Sequence, residues 1–210
     1  MKILGIDEAG RGPVLGNLIV AGVACEEEEQ ATLVKIGVKD SKKLSPERRE
    51  EIFEELVSSF TYRVVEFTPR EIDSRHRRRE TLNQMEARAM IELINHFSPD
   101  VAYIDCIGPS TGKFASLLAN AGIACSLVVE HRADERYPIV SAASIIAKVI
   151  RDRKLEMLKQ EYGDFGSGYP SDPRTVAFLE EHISKGLPPF VRNSWRTLSR
   201  FKNRSLDSFE

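Results

Sequence analysis

The sequence predicts an α/β fold: a mixed five-stranded sheet flanked by helices, with a helical extension towards the C-terminus. Three observations carry this. Two strand-like apolar runs near the N-terminus are joined by a glycine-rich turn. Strand and helix periodicities then alternate through the middle of the chain, which builds a sheet with helices on its faces. A last capped helix is followed by a polar, basic tail.

The elements follow in order. Residues 2–7 and 17–25 (NLIVAGVAC) are strands, and 61–68 (TYRVVEFT) is a third with rough alternation. Strands so close in sequence pair as antiparallel neighbours. Between the second and third, Ser45 is a ready N-cap and Pro46 suits the first helical position. Ile52, Phe53, Leu56, Val57 and Phe60 then form one apolar face. Residues 80–97 make a second amphipathic helix through Leu82, Met85, Ala89, Met90, Leu93 and Ile94. VAYID (101–105) is a strand, 111–121 a helix and IACSLVV (123–129) the fifth strand. A long helix, about 138–162, is apolar nearly all round its first half and should be buried there. The last helix, 171–186, has Asp172 as cap, Pro173 at its start and Gly186 at its end. No internal repeat or low-complexity linker interrupts this order.

Composition bounds the function. At 210 residues and 41% hydrophobic, the chain can bury a sizeable core. Thirty Lys and Arg against 32 Asp and Glu leave a net charge of -2, so any nucleic-acid binding must use a local patch. MKILGIDEAG reaches an acid too early for a signal peptide, and no apolar run approaches the ~20 residues of a membrane span. A cytoplasmic, monomeric protein is expected. Cys25, Cys106 and Cys125 are odd in number and widely spaced, and read as buried free thiols.

The chemistry gathers on acids. Asp7 is expected to end the first strand and Asp105 ends VAYID, which delivers both to one edge of a mixed sheet, where α/β folds hold their ligands. Asp134 precedes the long helix, whose N-terminus would favour its charge. Carboxylates crowded together raise one another's pKa, whereas hard divalent cations such as Mg²⁺ or Mn²⁺ reverse that logic. Two such ions about 4 Å apart can activate a water and stabilise the leaving oxygen of a phosphodiester. Glu8 is the exception: side chains alternate along a strand, so Asp7 and Glu8 share a face only if the chain bends between them.

These residues belong to recognisable motifs. IDEAGRGP (6–13), KDSKKLS (39–45), YIDC (103–106), ADERYPIVSAASIIAKVIRDR (133–153) and GSGYPSDP (166–173) resemble, in order, those of the ribonuclease HII family, and RNSWRT (192–197) resembles its archaeal branch. The resemblance implies a ribonuclease H-like core over 1–165. It assigns 166–200 to a substrate-sensing loop and C-terminal helical extension, and 201–210 to a tail. It implies metal-dependent endonucleolytic cleavage of RNA in RNA–DNA hybrids and 5′ of single ribonucleotides in duplex DNA, leaving 3′-hydroxyl and 5′-phosphate ends. The family's four catalytic and metal-binding carboxylates fall on Asp7, Glu8, Asp105 and Asp134, with Mg²⁺ or Mn²⁺ as cofactor. Gly10, Arg11 and Gly12 correspond to the motif that reads the 2′-hydroxyl, the group that distinguishes RNA. Tyr169, in a flexible Gly-Ser-Gly-Tyr-Pro context, corresponds to the residue that senses the junction with DNA. Lys42, Ser144 and Lys148 are further candidates for the nucleic-acid backbone, and Arg11 is expected to help hold the glycine turn.

Other signals are weaker. GPSTGKF (108–114) lacks a spacer residue of the phosphate loop and has Phe114 where that loop places Ser or Thr. The run Arg75–Arg79 precedes a helix whose N-terminus disfavours cations, which reads as an accessory duplex-binding patch. In the tail, Asn203, Leu206 and Phe209 have the spacing of peptides that dock on the replication sliding clamp, although Asn203 stands for the usual glutamine and Glu210 for an aromatic residue. Two rivals share some of these features: another nuclease of the fold, ribonuclease HIII or resolvase-like, and a non-catalytic nucleic-acid-binding module.

Overall fold

The structure, a computed structural model, describes residues 1–38 and 44–198. Its sheet contains β1 (Lys2–Ala9), β2 (Leu18–Glu26), β3 (Thr61–Phe67), β4 (Val101–Asp105) and β5 (Ser126–Glu130) in the order β3-β2-β1-β4-β5. β1 and β2 pair antiparallel, from Lys2 opposite Glu26 to Ala9 opposite Ile19. β4 lies parallel to β1, and β5 parallel to β4. Parallel neighbours need crossover connections, and the helical segments between these strands provide them.

The helices are α1 (Gln30–Ile36), α2 (Pro46–Ser59), α3 (Pro69–Ser74), α4 (Leu82–Phe97), α5 (Thr111–Ala119), α6 (Ala133–Arg136), α7 (Pro138–Tyr162) and α8 (Pro173–Ile183). Ser45 caps α2 by accepting from Arg48 N, and Asp172 caps α8 by accepting from Arg174 N. Ser110 caps α5, so the segment that superficially resembles a phosphate loop is an ordinary helix start. A capping box between Thr81 and Gln84 moves the start of α4 to Leu82, two residues past the expected boundary.

Three helices escaped the sequence reading because each is too short for a helical period to show: α1, α3 and α6. Of these, α3 carried a legible signal, a Thr68–Glu71 capping box around Pro69. β5 begins later than expected for a reason of register. Val101, the first residue of β4, lies opposite Ser126, so Ile123–Cys125 precede the ladder. β1 continues two residues beyond Asp7.

The chain divides into two compact units. The first comprises Met1–Ala9, Ile19–Glu66 and Glu80–Ile150, and the second Gly10–Leu18, Phe67–Arg79 and the residues from Arg151 onward. The first is cored by the sheet and the apolar half of α7, where Ile139, Val140, Ala143, Ile146 and Ala147 are fully buried, as the sequence required. The second has its own core of Val14, Leu15, Leu155, Phe165, Phe178, Leu179, Phe190 and Val191. Of the three unpaired cysteines, Cys25 is buried as expected, but Cys106 and Cys125 are only half-buried.

The contact that fixes α7 on the sheet is made at Gly5. A Cβ there would lie 2.2 Å from the carbonyl oxygen of Ile139, a backbone atom that cannot step aside. Gly5→Ala is therefore expected to lower stability by about 3 kcal/mol or more. Gly112, in α5, has nothing within 4 Å of its would-be Cβ. Gly112→Ala should instead stabilise by up to about 1 kcal/mol through helix propensity. Urea midpoints of the two variants test the opposite signs.

Candidate active site and glycine turn

The first unit assembles the acids. Ile6 lies opposite Ile104 in the parallel β1–β4 ladder, and the next step sets Asp7 beside Asp105. Alternation places Ile3, Gly5, Asp7 and Ala9 on the β1 face towards α7. Asp7 is only 5% exposed. Ser144 and Lys148, one turn apart on α7, both act on it: Ser144 hydrogen-bonds the carboxylate and Lys148 attracts it. Lys148 Nζ also donates to Ser144 Oγ. The structure thus places this pair against Asp7.

Asp105 is tied to the next element, its Oδ1 accepting from Ala133 N at 3.0 Å. That bond brings in Asp134, which is buried and sits in the first turn of α6 instead of immediately before the long helix. Burial, and then the nearby charge of Asp105, push the Asp7 carboxyl up to about 7.

Glu8 behaves differently. The ladder with β2 stays regular through Glu8 opposite Val20 and Ala9 opposite Ile19. The bend comes only at Gly10, whose φ is 89°. The Cα–Cβ bonds of Asp7 and Glu8 therefore leave opposite faces of β1, and only the length of the Glu8 side chain can bring it round to Asp7. Among the described residues, no three His, Cys, Asp or Glu side chains are already gathered as a cation site. The donors near Asp7 nevertheless suit a hard cation: they are carboxylate oxygens, and burial first and the charge of Asp105 second raise the pKa of Asp7, a penalty that a cation would offset.

The second unit holds the glycine turn. Gly12 lies against Tyr169: a Cβ on Gly12 would be 3.2 Å from Tyr169 Cε1. The structure thus brings these two sequence-predicted residues together. The Tyr169 loop, expected to be flexible from its glycines, carries several hydrogen bonds. Gly168 O accepts from Val14 N at 2.8 Å, Gly168 N donates to Thr175 Oγ1 at 3.0 Å, and Asp172 accepts from Ser167 N. Gly166 and Gly168 supply the positive φ values that this tight path needs. The ring of Tyr169 remains 41% exposed, with the Arg151 guanidinium 5.6 Å from its centroid.

Two residues with a role at this turn were not singled out by sequence reasoning. Arg192 is fully buried and donates to Gly16 O at 2.8 Å, Gly10 O at 2.6 Å and Arg11 O at 3.2 Å. Burial, and next the repulsion of Arg151, hold its guanidinium down at about 9. Trp195 donates its Nε1–H to Gly12 O at 3.0 Å. Arg192 also binds the carbonyl of Arg11, the residue expected to help hold the turn. Both residues stand in RNSWRT, a motif visible in the sequence without any sign of what it touches.

The basic run also reads differently in place. Arg75 turns inward, donating to Ile72 O and Ser194 Oγ and stacking on Trp195. Arg78 reaches Ser74 Oγ and Glu71 O. These residues follow the C-terminus of α3, where cations are favoured, and precede α4, which begins at Leu82. Lys39, Lys42 and Lys43, together with Asn203, Leu206 and Phe209, lie outside the described residues.

Without a bound cation, the raised pKa of Asp7 has a definite thermodynamic sign. The carboxyl titrates near its ordinary 3.8 when unfolded and near 7 when folded, so the fold loses stability as pH rises between those values. Asp7→Asn removes that penalty. In chelator, its melting temperature should exceed that of the wild type at pH 8, with the gap narrowing as pH falls and closing only below the unfolded value of 3.8, as read by thermal denaturation.

The chain matches the family profile described as Ribonuclease HII over residues 4–198. It is 46% identical to ribonuclease HII of Thermococcus onnurineus over 210 residues, covering 97% of this chain and 91% of the relative. The crystal structure of ribonuclease H2 from Pyrococcus horikoshii superposes with a TM-score of 0.89 at 45% identity, covering 97% and 98% of the two chains. The Archaeoglobus fulgidus enzyme in the PCNA:RNase HII complex superposes with a TM-score of 0.86 at 45% identity, covering 93% and 96%. Bst-RNase HIII, at 19% identity and a TM-score of 0.78, shares the fold alone. With this match across nearly all its length, and with the buried Asp7 beside Asp105 at one sheet edge, the chain belongs to the ribonuclease HII family of endonucleases that hydrolyse RNA in RNA–DNA hybrids.

Proposed function

We propose that this enzyme is metal-dependent and that it cuts RNA–DNA hybrids and also the 5′ side of single ribonucleotides embedded in duplex DNA, leaving 3′-hydroxyl and 5′-phosphate ends. The observation that carries the metal dependence is the buried Asp7 beside Asp105 on neighbouring parallel strands, a pair whose mutual repulsion a divalent cation would relieve. Asp7, Asp105 and Asp134, with Glu8 reaching round from the other face, are the proposed ligands. Mg²⁺ or Mn²⁺ held there would supply charge stabilisation for the scissile phosphodiester. Ser144 and Lys148 orient the Asp7 carboxylate, and Lys148 adds a positive charge beside the phosphate position. The nucleophile is water, with no covalent enzyme intermediate.

Recognition is assigned to the glycine turn. Gly10 and Gly12 permit close approach of the backbone to a ribose, and the exposed ring of Tyr169 packs against the deoxyribose that follows. The contact of Tyr169 with Gly12 supports this division, because reading the two sugars of one junction requires neighbouring readers. A resolvase-like activity would not depend on a 2′-hydroxyl. Gel mapping on a duplex with one ribonucleotide, with Mg²⁺, Mn²⁺ or chelator, should show a single cut 5′ of that nucleotide and none in chelator. Asp105→Asn and Asp134→Asn should each slow it by at least about a hundredfold. An uncut duplex, or a cut elsewhere, would refute the reading.

The relative from Archaeoglobus fulgidus was solved as a complex with PCNA. By analogy, the tail bearing Asn203, Leu206 and Phe209 is proposed to dock on a sliding clamp. Deleting residues 203–210 should abolish retention on clamp-coated beads while cleavage of free substrate stays at the wild-type rate. Retention that survives the deletion would move the contact elsewhere.

A further inference from the structure

We infer that Arg192 and Trp195 are positioning residues for ribose recognition: they clamp the carbonyls of the glycine turn, Arg192 so aiming the Arg11 and Gly12 amides and Trp195 fixing the last peptide plane of the turn. The inference rests on the proposed reading that Gly10–Gly12 recognises the 2′-hydroxyl. The three carbonyls of that turn are all engaged from one segment. Arg192 takes Gly10 O and Arg11 O, and Trp195 takes Gly12 O.

A trans peptide unit is planar, with its C=O and the following N–H pointing in opposite directions. Anchoring Gly10 C=O therefore turns the Arg11 N–H away from the guanidinium, and anchoring Arg11 C=O does the same for Gly12 N–H. The residue after Gly12 is Pro13, which has no N–H to aim. A glycine turn without such anchors would sample many peptide orientations, because glycine restricts its backbone least. The orientation is thus imposed from outside the turn.

The clamp is itself braced. The Arg192 guanidinium lies 4.8 Å from the Trp195 ring centroid, and Arg75 lies 5.3 Å from the same ring. Arg75 Nη1 donates to Ser194 Oγ at 2.8 Å, and the Asp73 carboxylate accepts from Asn193 N and Ser194 N at 2.8 and 2.9 Å. Arg192 N donates to Val14 O at 2.9 Å, tying the clamp's own backbone to the segment just beyond the turn. Among the described residues no carboxylate makes an ion pair with Arg192, which is satisfied by carbonyl oxygens instead. A carboxylate partner would compete for the fork; three carbonyls use its planar geometry to set peptide planes.

The test compares binding of two duplexes, all-DNA and the same sequence with one ribonucleotide, by fluorescence anisotropy in chelator so that nothing is cut. The wild type should prefer the ribonucleotide duplex by about tenfold or more, since a site built to bond a hydroxyl rejects the analogue lacking it. Arg192→Lys keeps the charge but loses the fork, and should bring the ratio close to one while affinity for all-DNA duplex is retained. Trp195→Phe keeps the ring and loses one donor, and should reduce the ratio about threefold, in keeping with a single hydrogen bond. Trp195 is the single tryptophan, so wild-type fluorescence should also respond to the ribonucleotide duplex and not to DNA. A merely structural role predicts that both duplexes weaken together, or that neither does.

If the wild type shows no preference, the reading of the turn fails. If the wild-type preference is present and persists in both folded variants, the clamp inference is overturned. Should Arg192→Lys not fold, Trp195→Phe decides alone: a retained ratio overturns the inference.

Discussion

The first unit depends on the seating of α7 against β1 at Gly5, where the strand carries no side chain and the helix backbone comes into direct contact. That approach places the buried half of α7 over the β1 face that carries Ile3, Asp7 and Ala9. Ser144 and Lys148 then meet Asp7. Parallel pairing of β1 with β4 sets Asp105 next to it, and the bond from Ala133 N fastens Asp105 to α6. Each of these contacts is local, yet none forms unless helix and sheet meet at that one spacing.

Such a site is electrostatically unfavourable by itself. Burial and a like-charged neighbour both penalise an ionised Asp7, and Ser144 and Lys148 offset only part of this, because the carboxyl still titrates near 7. Tension of this kind is common where a protein is organised around a charge that its ligand brings. The second unit shows the complementary pattern. Its buried cations, Arg151 and Arg192, stand next to main-chain carbonyls and an aromatic ring, so their charge serves to hold backbone.

Much of this was legible beforehand, for reasons that can be named. The strands and the long helices announced themselves through period, and Ser45 and Asp172 through cap chemistry, because those signals are local. The short helices were missed since four to seven residues cannot display a period. The start of β5 was misplaced because a ladder's extent belongs to both partners, and β4 supplies only five residues. The surroundings of Arg75–Arg79 were read incompletely for a similar reason: the sequence shows which helix follows the run, but not that α3 ends just before it.

By itself, then, the sequence determined the α/β class, the succession of the strands along the chain, Asp105 at the end of its strand, and the motifs that mark the ribonuclease HII family. Tertiary structure alone decided three matters. It showed that Asp7 and Glu8 leave opposite faces of an unbent strand, that Ser144 and Lys148 attend to Asp7, and that the glycine turn is held by Arg192 and Trp195. The physical reason is the same in each case. Which face a strand residue takes, and which carbonyl a distant guanidinium meets, follow from where a bend falls and how segments pack, and partners 182 residues apart leave no periodic trace in a sequence.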